Sequence, residues 1–590
     1  MHLTILACDL DGTLAELGVV APETWDALQR AKDRGLTIIL VTGRVLDDFD
    51  VSGRFSELCE ATVAEDGAVV YFPRRDAVVL PFGRLVREVF DRLEEKGVPF
   101  RRGLAIAATE IPHDKTVMQV LRQIGGGLAL EYNRDSVMAL PLGATKATGL
   151  EYALRELGYS PRNVVACGDA ENDRSLFEVA ELSVAVANAS PEVQSHADVV
   201  LSQEDGAGVR ALIDDLLARK IPARQPRPER RLLLGHDQNG DPVHLDPFLL
   251  ANGNLGIFGA SRSGKSWLAG LLAEEMLRHG YQVFIVDPEG DYRNLRAFPH
   301  TLLMGGSDSR LPPVVDLINF SEYDGVSLVL DLSIYTIAER YAYLVELMHA
   351  LQGLRKRRGR PHWFLVDEVQ NLCPHNDNEL CDLIVRDMQE GGYTVVSYRP
   401  SQVAPPVLES LHHCLMTRMS LPAELEMLRA MIGQHGVDEN LIAQLPTLPI
   451  GQAYLCLADG SHWRRPPGGL VNLLARPRAI PHIRHMHKYL RAPLPKSKRF
   501  YFHDGRGRYL NRTAASLWEF SEVLRDLPLD SLQYHMERGD FDKWLSDVLY
   551  DEELAGQVRK IRHRSVQGDA LRTAMVEAVS NRYEELDSLV

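Results

Sequence analysis

The first forty residues alternate apolar runs with an amphipathic segment. Residues 3–8 are mostly apolar and end at Asp9, which predicts a buried strand. Apolar positions then recur with helical spacing over Thr24–Arg34, and a second apolar run, Thr37–Val41, predicts another strand. This strand–helix–strand order is typical of a parallel sheet with helices on its faces.

The regular alternation is interrupted between residues 60 and 140. Shorter strands and one helix, Arg84–Lys96, are expected there, and we interpret about 80–140 as a cap inserted into the first domain. The alternation then resumes with one helix and three strands, at Thr145–Leu157, Asn163–Cys167, Ser183–Val186 and Val199–Leu201. We expect this first domain to span 1–218.

Four further segments follow. Residues 219–231 are rich in proline and charge, which predicts an exposed linker. Residues 232–475 again alternate strands and helices, so we expect a second α/β domain. A basic linker, 476–499, then leads to amphipathic helices in 500–590, which predict a small helical domain.

Composition narrows the classes of function. The 590 residues are 45% apolar and 25% charged, so each domain can bury a core. The net charge of −16 limits any nucleic-acid contact to local basic patches. Seven cysteines without CxxC spacing predict reduced thiols rather than a zinc site or disulfides.

Two features concern location. No apolar stretch approaches the roughly 20 residues that a membrane span needs, so we expect no membrane partner. The N-terminus runs directly into the first strand, which is not the pattern of a signal peptide. We therefore expect a cytoplasmic protein.

Polar residues at the ends of the first strands are suited to phosphate chemistry. Asp9 ends a strand at the edge of a parallel sheet, where ligands bind, and can attack a phosphorus atom. Asp11 can protonate the leaving group and later deprotonate water. Thr42 follows the next strand, where its hydroxyl can hold a phosphate oxygen.

Three residues further along would complete that site. Lys146 supplies a positive charge for the transition state. Asp169 and Asp173 follow another strand, and their oxygens suit Mg²⁺. Asp-Gly turns are common, so Asp9–Thr13 alone is weak evidence, whereas four elements in this order are far more specific.

Together these residues resemble the haloacid dehalogenase (HAD) phosphatase superfamily, in its α/β-capped, Cof-like branch, over about residues 1–216. The resemblance implies a nucleophile, an acid/base, a phosphate ligand and a charge stabiliser, in the order Asp9, Asp11, Thr42 and Lys146. It also implies Mg²⁺ held by Asp9, the backbone of Asp11 and Asp169, with Asp173 in support. The short cap resembles the compact sugar-phosphate and phosphoglycolate types, and admits either a small phosphorylated metabolite or an exposed macromolecular phosphate.

A second phosphate site is predicted at a glycine-rich loop. This loop, Gly259–Ser266, lies between an apolar strand, Leu255–Phe258, and a helix, so its backbone N–H groups can bind the phosphates of ATP. Lys265 should bridge the β- and γ-phosphates, and Ser266 should bind Mg²⁺. The residues predicted to bind ATP are Gly259, Ser261, Ser263, Gly264, Lys265, Ser266, Asp367 and Arg399.

An acidic pair about a hundred residues later fits the same site. The apolar strand Trp363–Val366 ends in Asp367 and Glu368. Asp367 fits a ligand of Mg²⁺-bound water, and Glu368 can polarise the attacking water. The loop and the acidic pair together predict an ATPase.

Three stretches narrow the ATPase family. These stretches resemble the corresponding segments of HerA/FtsK-type ring ATPases, and the resemblance covers about residues 232–475. They are Val286–Tyr292, Val395–Gln402 and Leu448–Gly460. The resemblance implies a hexameric ring with ATP between subunits and an arginine from the neighbour, for which Arg399 and Arg418 are candidates. The family usually has a glutamine where this chain has Tyr398, so either Ser397 or Gln402 replaces that sensor or hydrolysis is slow.

The remaining segments are less specific. Two segments are basic, Arg355–Arg360 and Arg476–Arg499. They could line a nucleic-acid channel, or they could be a solvated helix end and a linker, and the second interpretation is favoured. The histidines at 482, 485 and 487 lack the spacing of metal ligands. The aromatic residues after Ser516 are interpreted as core, in a small helical domain that we expect to mediate assembly or partner docking.

The expected fold is a multidomain α/β chain: a Rossmann-like HAD domain with a small α/β cap, a RecA-like P-loop domain and a small C-terminal α-helical domain. The leading hypothesis is a bifunctional Mg²⁺-dependent phosphohydrolase and ring-forming ATPase that acts in nucleic-acid processing or phage defence, with DNA as a partner. One alternative is a polynucleotide phosphatase/kinase for end repair. Another is a metabolite phosphatase with a regulatory, ATP-dependent assembly module.

Overall fold

The structure is a computed structural model. It describes residues 2–48, 53–133, 136–221, 224–225, 230–306, 310–375, 378–434, 440–459, 462–464, 469–473, 490, 494, 496–549, 551–564 and 566–587. The basic linker 476–499 lies mostly outside these residues, as does part of the linker 219–231. None of the described helices is both long and apolar enough to cross a bilayer.

The N-terminal third contains two sheets. Its strands are β1 (Ile5–Asp9), β2 (Thr37–Val41), β3 (Ala61–Ala64), β4 (Val69–Phe72), β5 (Ala77–Val79), β6 (Arg101–Arg102), β7 (Ala107–Glu110), β8 (Leu128–Asn133), β9 (Ser136–Pro141), β10 (Val164–Gly168), β11 (Leu182–Ala185) and β12 (Val199–Val200). Its helices are α1 (Pro22–Asp33), α2 (Arg54–Leu58), α3 (Arg87–Glu95), α4 (Asp114–Ile124), α5 (Lys146–Leu157), α6 (Asp173–Val179), α7 (Pro191–His196) and α8 (Asp205–Leu217).

The larger of these sheets has the strand order β12-β11-β10-β1-β2-β3-β4-β5. Its pairs from β12 to β3 are parallel, and β3-β4-β5 are antiparallel. The central strands β1 and β10 are buried along their whole length, as expected for parallel strands covered on both faces. The carboxyl ends of β10, β1 and β2 therefore meet at one edge.

The smaller sheet forms the inserted cap. Its order is β6-β7-β9-β8, all antiparallel, and α3 and α4 pack together beside it. The sequence predicts one cap helix, whereas the structure has two. The second helix, α4, packs Val117, Val120, Leu121 and Ile124 against the cap core, so its apolar stripe is present in the sequence and was overlooked.

The central part contains one mixed sheet. Its strands are β13 (Leu232–His236), β14 (Pro242–Leu245), β15 (Asn254–Phe258), β16 (Val283–Asp287), β17 (Thr301–Gly305), β18 (Ser327–Asp331), β19 (Trp363–Val366), β20 (Tyr393–Ser397), β21 (His413–Met416), β22 (Gln452–Asp459), β23 (His462–Arg464) and β24 (Leu470–Asn472). Its helices are α9 (Pro247–Asn252), α10 (Lys265–Arg278), α11 (Val314–Glu322), α12 (Ile337–Arg358), α13 (Glu379–Met388), α14 (Pro405–Glu409), α15 (Pro422–Gln434) and α16 (Asn440–Gln444).

This sheet is parallel in the middle and antiparallel at one side. The order is β14-β13-β24-β22-β21-β15-β20-β19-β16-β18-β17, and β23 pairs with β22. All pairs from β21 to β17 are parallel. The strand before the glycine-rich loop, β15, is thus separated by one strand from β19, which precedes the acidic pair.

The C-terminal part has a hairpin followed by helices. The elements are β25 (Phe500–His503), β26 (Tyr509–Ala514), α17 (Leu517–Asp526), α18 (Leu529–Arg538), α19 (Asp540–Asp547), α20 (Glu552–His563) and α21 (Gly568–Asp587). The hairpin is an addition to the predicted helices. Phe520, Phe541 and Trp544 are buried against Phe500, so these aromatic residues are core, whereas Trp518 is half-exposed.

The basic run at the end of α12 has a structural role at two positions. Arg355 is buried and donates to the Asp387 carboxylate at 2.5 Å. Arg360 is buried and donates to the Glu322 carbonyl at 2.7 Å. These two guanidinium groups therefore do not line a nucleic-acid channel.

Candidate active sites

The first candidate site lies at the carboxyl edge of three adjacent strands. Asp9 ends β1, which pairs with β10 on one side and β2 on the other. Thr42 directly follows β2 and is buried, and Asp169 directly follows β10 and is also buried. The strand order therefore brings together residues that are 160 positions apart in the chain.

Lys146 joins two of the carboxylates. Its Nζ donates hydrogen bonds of 2.6 Å to Asp9 Oδ1 and 2.6 Å to Asp173 Oδ1. Thr145 caps α5, so the helix starts with Lys146 directed into this site. Burial alone would lower the pKa of Lys146, but the charges of Asp173 and Asp9 outweigh it and raise the pKa. The lysine is therefore a fixed cation.

Three carboxylates are grouped closely enough to hold one cation. Asp9, Asp169 and Asp173 are buried, and each offers an oxygen within 4.8 Å of the others. Burial and the charge of Asp173 raise the pKa of Asp9 well above its usual range. Since Mg²⁺ prefers such oxygen ligands, the donor set fits Mg²⁺.

Neighbouring polar groups fix the orientation of these carboxylates. Thr13 Oγ1 donates to Asp169 Oδ1 at 3.0 Å. Asp173 Oδ2 accepts from the backbone N–H of Asp169 at 2.9 Å and of Ala170 at 3.0 Å. Gly12 has φ +82°, and a Cβ there would lie 2.5 Å from Asp169 Oδ2. The turn after β1 therefore requires glycine for its conformation and for the space beside Asp169.

Arg44 is a residue of this site that the sequence analysis missed. Its Nε donates to Asp11 Oδ2 at 2.7 Å, and its second nitrogen contacts Asp11 Oδ1. Arg44 lies two residues after Thr42, in the same loop after β2. Its proximity in sequence to a predicted phosphate ligand is the one signal that could have found it.

A cleft of about 590 Å³ lies in front of these residues. Core residues Asp9, Asp11 and Thr42 line one side, and cap residues Arg101, His113, Ser136 and Met138 line the other. The cap therefore forms one wall of the cleft.

Glu65 holds the cap to the core. Its buried carboxylate accepts hydrogen bonds from backbone N–H groups of the cap loop between β6 and β7, those of Leu104 at 2.8 Å, Ala105 at 2.8 Å and Ile106 at 3.2 Å. A Cβ on Gly103 would lie 2.6 Å from this carboxylate, so the approach is close. Glu65 could not be identified from the sequence, because a buried carboxylate with backbone partners has no sequence pattern.

The second candidate site lies at the carboxyl edge of β15, β20 and β19. The glycine-rich loop follows β15, and α10 begins at Lys265. Lys265 Nζ donates to the Ala260 carbonyl of the same loop at 2.9 Å. Ser263 is buried with its Oγ 2.6 Å from Thr417 Oγ1, Ser261 is exposed, and Ser266 is partly buried at the start of α10.

The acidic pair faces this loop. Asp367 is buried, and its Oδ2 has no hydrogen-bond partner among the described residues. Burial and the charges of Glu368 and Asp291 raise the pKa of Asp367 well above its usual range. An unpartnered, buried carboxylate oxygen next to a phosphate-binding loop fits a ligand of Mg²⁺ or its water.

Gln370 and Asp291 belong to this site and were not predicted. Gln370 donates to the Glu368 carboxylate and accepts from Ser397 Oγ at 2.6 Å. Ser397, which the sequence analysis considered as a replacement sensor, thus reaches Glu368 through Gln370. Asp291 is one of the charges that act on Lys265 and Asp367.

The aromatic residue at the sensor position lies near the lysine. The Tyr398 ring is 6.0 Å from Lys265 Nζ and 5.4 Å from Arg399 Cζ. Arg399 is exposed, whereas Arg418 is partly buried and its carbonyl accepts from Ala260 N at 2.8 Å. An exposed Arg399 is available to another molecule.

Two protein families match this chain. Residues 6–100 and 111–213 match the haloacid dehalogenase-like hydrolase family. Residues 233–358 match the central domain of helicase HerA.

Curated relatives cover the first of these regions. A phosphoglycolate phosphatase of Methanothermobacter thermautotrophicus is 32% identical over 219 residues, 35% of this chain and 94% of its own length. Phosphoglycolate phosphatase 2 of Saccharolobus solfataricus is 29% identical over 223 residues, 36% of this chain and 92% of its own length.

A crystal structure of a haloacid dehalogenase-like hydrolase from Bacteroides thetaiotaomicron aligns with 36% of this chain and 99% of its own, at 17% identity and a TM-score of 0.33. The family match and the relative that is 32% identical show that the chain belongs to the haloacid dehalogenase-like hydrolases, and it joins a Cof-like phosphatase domain of that family to a HerA-type ATPase domain.

Proposed function

We propose that the N-terminal domain is a Mg²⁺-dependent phosphatase that hydrolyses a small phosphorylated metabolite through an aspartyl-phosphate. The observation that supports this most directly is the buried Lys146, held 2.6 Å from both Asp9 and Asp173, where Asp9 itself lines a cleft together with the cap. A cleft of about 590 Å³ suits a small molecule better than a nucleic-acid end. Because the relatives are named phosphoglycolate phosphatases, 2-phosphoglycolate is the first substrate to test.

Each residue has a defined step in this reaction. The Asp9 carboxylate attacks phosphorus, an O–P bond forms, and the ester P–O bond breaks while Asp11 donates its proton to the leaving oxygen. Water then attacks the phosphoenzyme, Asp11 takes its proton, and inorganic phosphate leaves Asp9 regenerated. Arg44 holds Asp11 in position, the Thr42 hydroxyl donates a hydrogen bond to a phosphoryl oxygen, and the Lys146 cation offsets the charge of the phosphoryl group.

Asp9, Asp169 and the backbone of Asp11 would hold Mg²⁺, with Asp173 in support. Bound there, the ion would offset the charge of the phosphate and of the grouped carboxylates. This set is supported by the three carboxylate oxygens lying within 4.8 Å of one another.

For the central domain, we propose ATP hydrolysis in a hexameric ring. Lys265 and the loop backbone would bind the phosphates, Ser266 and Asp367 would hold Mg²⁺, and Glu368 would polarise the attacking water. The exposed Arg399 is the arginine we expect to reach the ATP of a neighbouring subunit. We propose DNA as the partner of this ring and the cytoplasm as its location, the latter supported by seven buried thiols.

The test is phosphate release by the wild type, Asp9→Asn and Lys265→Ala. Each is assayed with Mg²⁺ on 2-phosphoglycolate, on a panel of sugar phosphates and on ATP with or without DNA. We expect Asp9→Asn to lose only the metabolite activity, by about 10³-fold or more, and Lys265→Ala to lose only ATP hydrolysis.

Other outcomes would change the proposal. Removal of 3′ phosphates from oligonucleotides, together with γ-phosphate transfer to 5′-hydroxyl ends, would replace it by end repair. ATP hydrolysis that DNA does not stimulate would remove DNA from the proposal and leave an assembly module.

A further inference from the structure

The cap sheet presents one of its faces to the phosphatase cleft. On its other face, Ala107 of β7 and Ala139 of β9 are opposite each other and pack in one cluster with the helices α3 and α4. Side chains alternate between the two faces of a strand, so the residues next to these two point the other way. Four such residues line the cleft, in two opposite pairs: Ala108 with Met138, and Glu110 with Ser136.

Met138 shows where this face lies relative to the catalytic residues. A Cβ placed on Gly43, in the loop that follows Thr42, would lie 3.7 Å from Met138 Cε. Glu110 is opposite Ser136, two residues along the same face from Met138, which corresponds to roughly 7 Å. A phosphate held at Thr42 therefore lies near Met138, and the alcohol part of a phosphate ester would extend toward Glu110.

Glu110 is an unpaired carboxylate on this wall. Its side chain is exposed, and among the residues that the structure describes it has neither a hydrogen bond nor an ion pair. Glu131 of β8, which is opposite Met138, adds a second, half-buried carboxylate to the same face. The wall that the alcohol part would contact is therefore acidic.

The cations of the cleft already have partners. Arg44 binds both carboxylate oxygens of Asp11, and Arg101 pairs with Asp48. These are the two arginines among the described residues that line the cleft, and no described lysine lines it. Arg102 points to the helix side of the cap, where its Cζ lies 4.2 Å from the centre of the Phe90 ring. A second anionic group on a substrate would thus find no free cation here.

The other polar groups of the wall suit hydroxyl groups. Ser136 and the His113 ring both line the cleft, and each can donate or accept a hydrogen bond. A carboxylate such as that of Glu110 accepts strong hydrogen bonds from hydroxyl groups, because one partner is charged. The same carboxylate repels another carboxylate that is brought close to it, which selects against such a ligand.

We propose that Glu110 determines the specificity of the phosphatase site, by accepting a hydrogen bond from a hydroxyl group of the alcohol part and repelling an alcohol part that carries a carboxylate. This inference rests on the proposed phosphatase activity and narrows its substrates to phosphate esters of neutral, hydroxyl-bearing alcohols. Ser136 and His113 would bind further hydroxyl groups. By this account 2-phosphoglycolate, whose alcohol part carries a carboxylate, is a poor substrate.

The test compares three phosphate esters of equal length. Propyl phosphate has no further polar group, glycerol 1-phosphate has two hydroxyl groups, and 3-phosphoglycerate has a carboxylate in place of the last hydroxymethyl group. Values of kcat/KM are measured with Mg²⁺ on the full-length wild type, Glu110→Gln and Glu110→Ala. The matched control is Glu95→Gln, since Glu95 is an exposed glutamate at the end of the cap helix α3.

The wild type should prefer glycerol 1-phosphate to each of the other two esters by about tenfold. Glu110→Gln keeps an oxygen acceptor but removes the charge, so the ratio of kcat/KM for 3-phosphoglycerate to that for glycerol 1-phosphate should rise about tenfold. Glu110→Ala removes the acceptor, so the preference for glycerol 1-phosphate over propyl phosphate should fall about tenfold. Glu95→Gln should leave both ratios unchanged.

Ratios between substrates are independent of the fraction of folded enzyme, so a less stable variant still gives an answer. Equal ratios in the wild type and both Glu110 variants, or a wild type that prefers 3-phosphoglycerate, would overturn the inference. If that activity were lost in Asp9→Asn, the proposed phosphatase would still stand. A wild type that hydrolyses neither these esters nor p-nitrophenyl phosphate would overturn the phosphatase and the inference together.

Discussion

The hydroxyl of Tyr281 donates a hydrogen bond of 2.7 Å to the buried carboxylate of Glu181, and this bond crosses from the ATPase domain to the phosphatase domain. Glu181 lies at the start of β11, and Tyr281 lies shortly before β16. Both are buried, so the bond is shielded from water.

Tyr281→Phe should destabilise the protein by about 1–3 kcal/mol, because it leaves one oxygen of a buried carboxylate without its donor. Urea unfolding followed by fluorescence measures this. Tyr323→Phe is the matched control, since Tyr323 is 68% exposed in the same domain and its loss should cost nothing measurable. Equal stabilities of the two variants would show that the interdomain bond contributes nothing.

The stability contributed by Glu181 should depend on pH. Burial raises its pKa, but the His2 ring, whose Nε2 lies 3.7 Å from Oε1, and the charges of Arg162 and Arg230 outweigh burial and lower the pKa. A lowered pKa in the folded state stabilises the fold above the unfolded value of about 4.3 and loses that contribution as pH falls. The advantage of the wild type over Glu181→Gln should therefore be largest at pH 7 and shrink below about pH 4. Unfolding free energies at pH 7, 5, 4 and 3 test this, and a constant difference would contradict it.

Lys146→Ala should cost about 3–5 kcal/mol in the absence of Mg²⁺, because Asp9 and Asp173 would lose their shared buried cation. Mg²⁺ should restore part of this stability while phosphatase activity stays lost. Melting temperatures with EDTA and with Mg²⁺ measure both effects. Lys96→Ala is the control, since Lys96 is exposed in the same domain. If the Lys146→Ala protein were as stable as the Lys96→Ala protein, the expectation would be refuted.

Glu65→Gln should lower phosphatase kcat/KM by at least tenfold and leave ATP hydrolysis unchanged. The amide oxygen can replace only one carboxylate oxygen, so the NH₂ group faces the backbone N–H of either Leu104 or Ala105 and the loop between β6 and β7 shifts. Glu88→Gln, on an exposed cap helix, is the control. Unaltered kcat/KM in Glu65→Gln would mean that the cap is positioned by other contacts.

Gln370→Ala should lower kcat for ATP about tenfold with little change in KM, because Glu368 loses its link to Ser397. Gln402→Ala is the control and also tests the other residue considered as a sensor. Gln402 is exposed in the turn after β20. A larger loss in Gln402→Ala than in Gln370→Ala would reverse this assignment.

The sequence was sufficient to predict the site residues that directly follow strands. Asp9, Thr42 and Asp169 each come directly after an apolar run, and parallel strands align their carboxyl ends, so their proximity follows from local pattern. The same reasoning places Asp367 opposite the loop that holds Lys265. Both family assignments were predicted and are confirmed.

Residues whose role depends on a distant partner could not be predicted. Glu65 acts on backbone N–H groups forty residues away, and Glu181 acts on Tyr281 in another domain. Such pairs leave no periodic pattern in the sequence, because only the packing of the elements brings them together. The domain boundaries, the roles of the site residues and the hexameric ring stay predictions.

The two domains contact each other at a seam where Tyr281 meets Glu181 and Asn163 meets Gly359. The strands that begin at this seam have their carboxyl ends directed away from it. His2 and Asn163 stand at the start of β1 and β10, and the His362 ring, at the start of β19, lies 5.7 Å from that of His2. Each catalytic edge is therefore one strand, roughly 17 Å, from the seam. All described residues that line the phosphatase cleft precede residue 139, so this cleft opens to solvent by its own mouth. The two proposed reactions therefore take place at edges that lie away from the contact between the domains, and phosphate released in the phosphatase domain would leave through the opening of its own cleft.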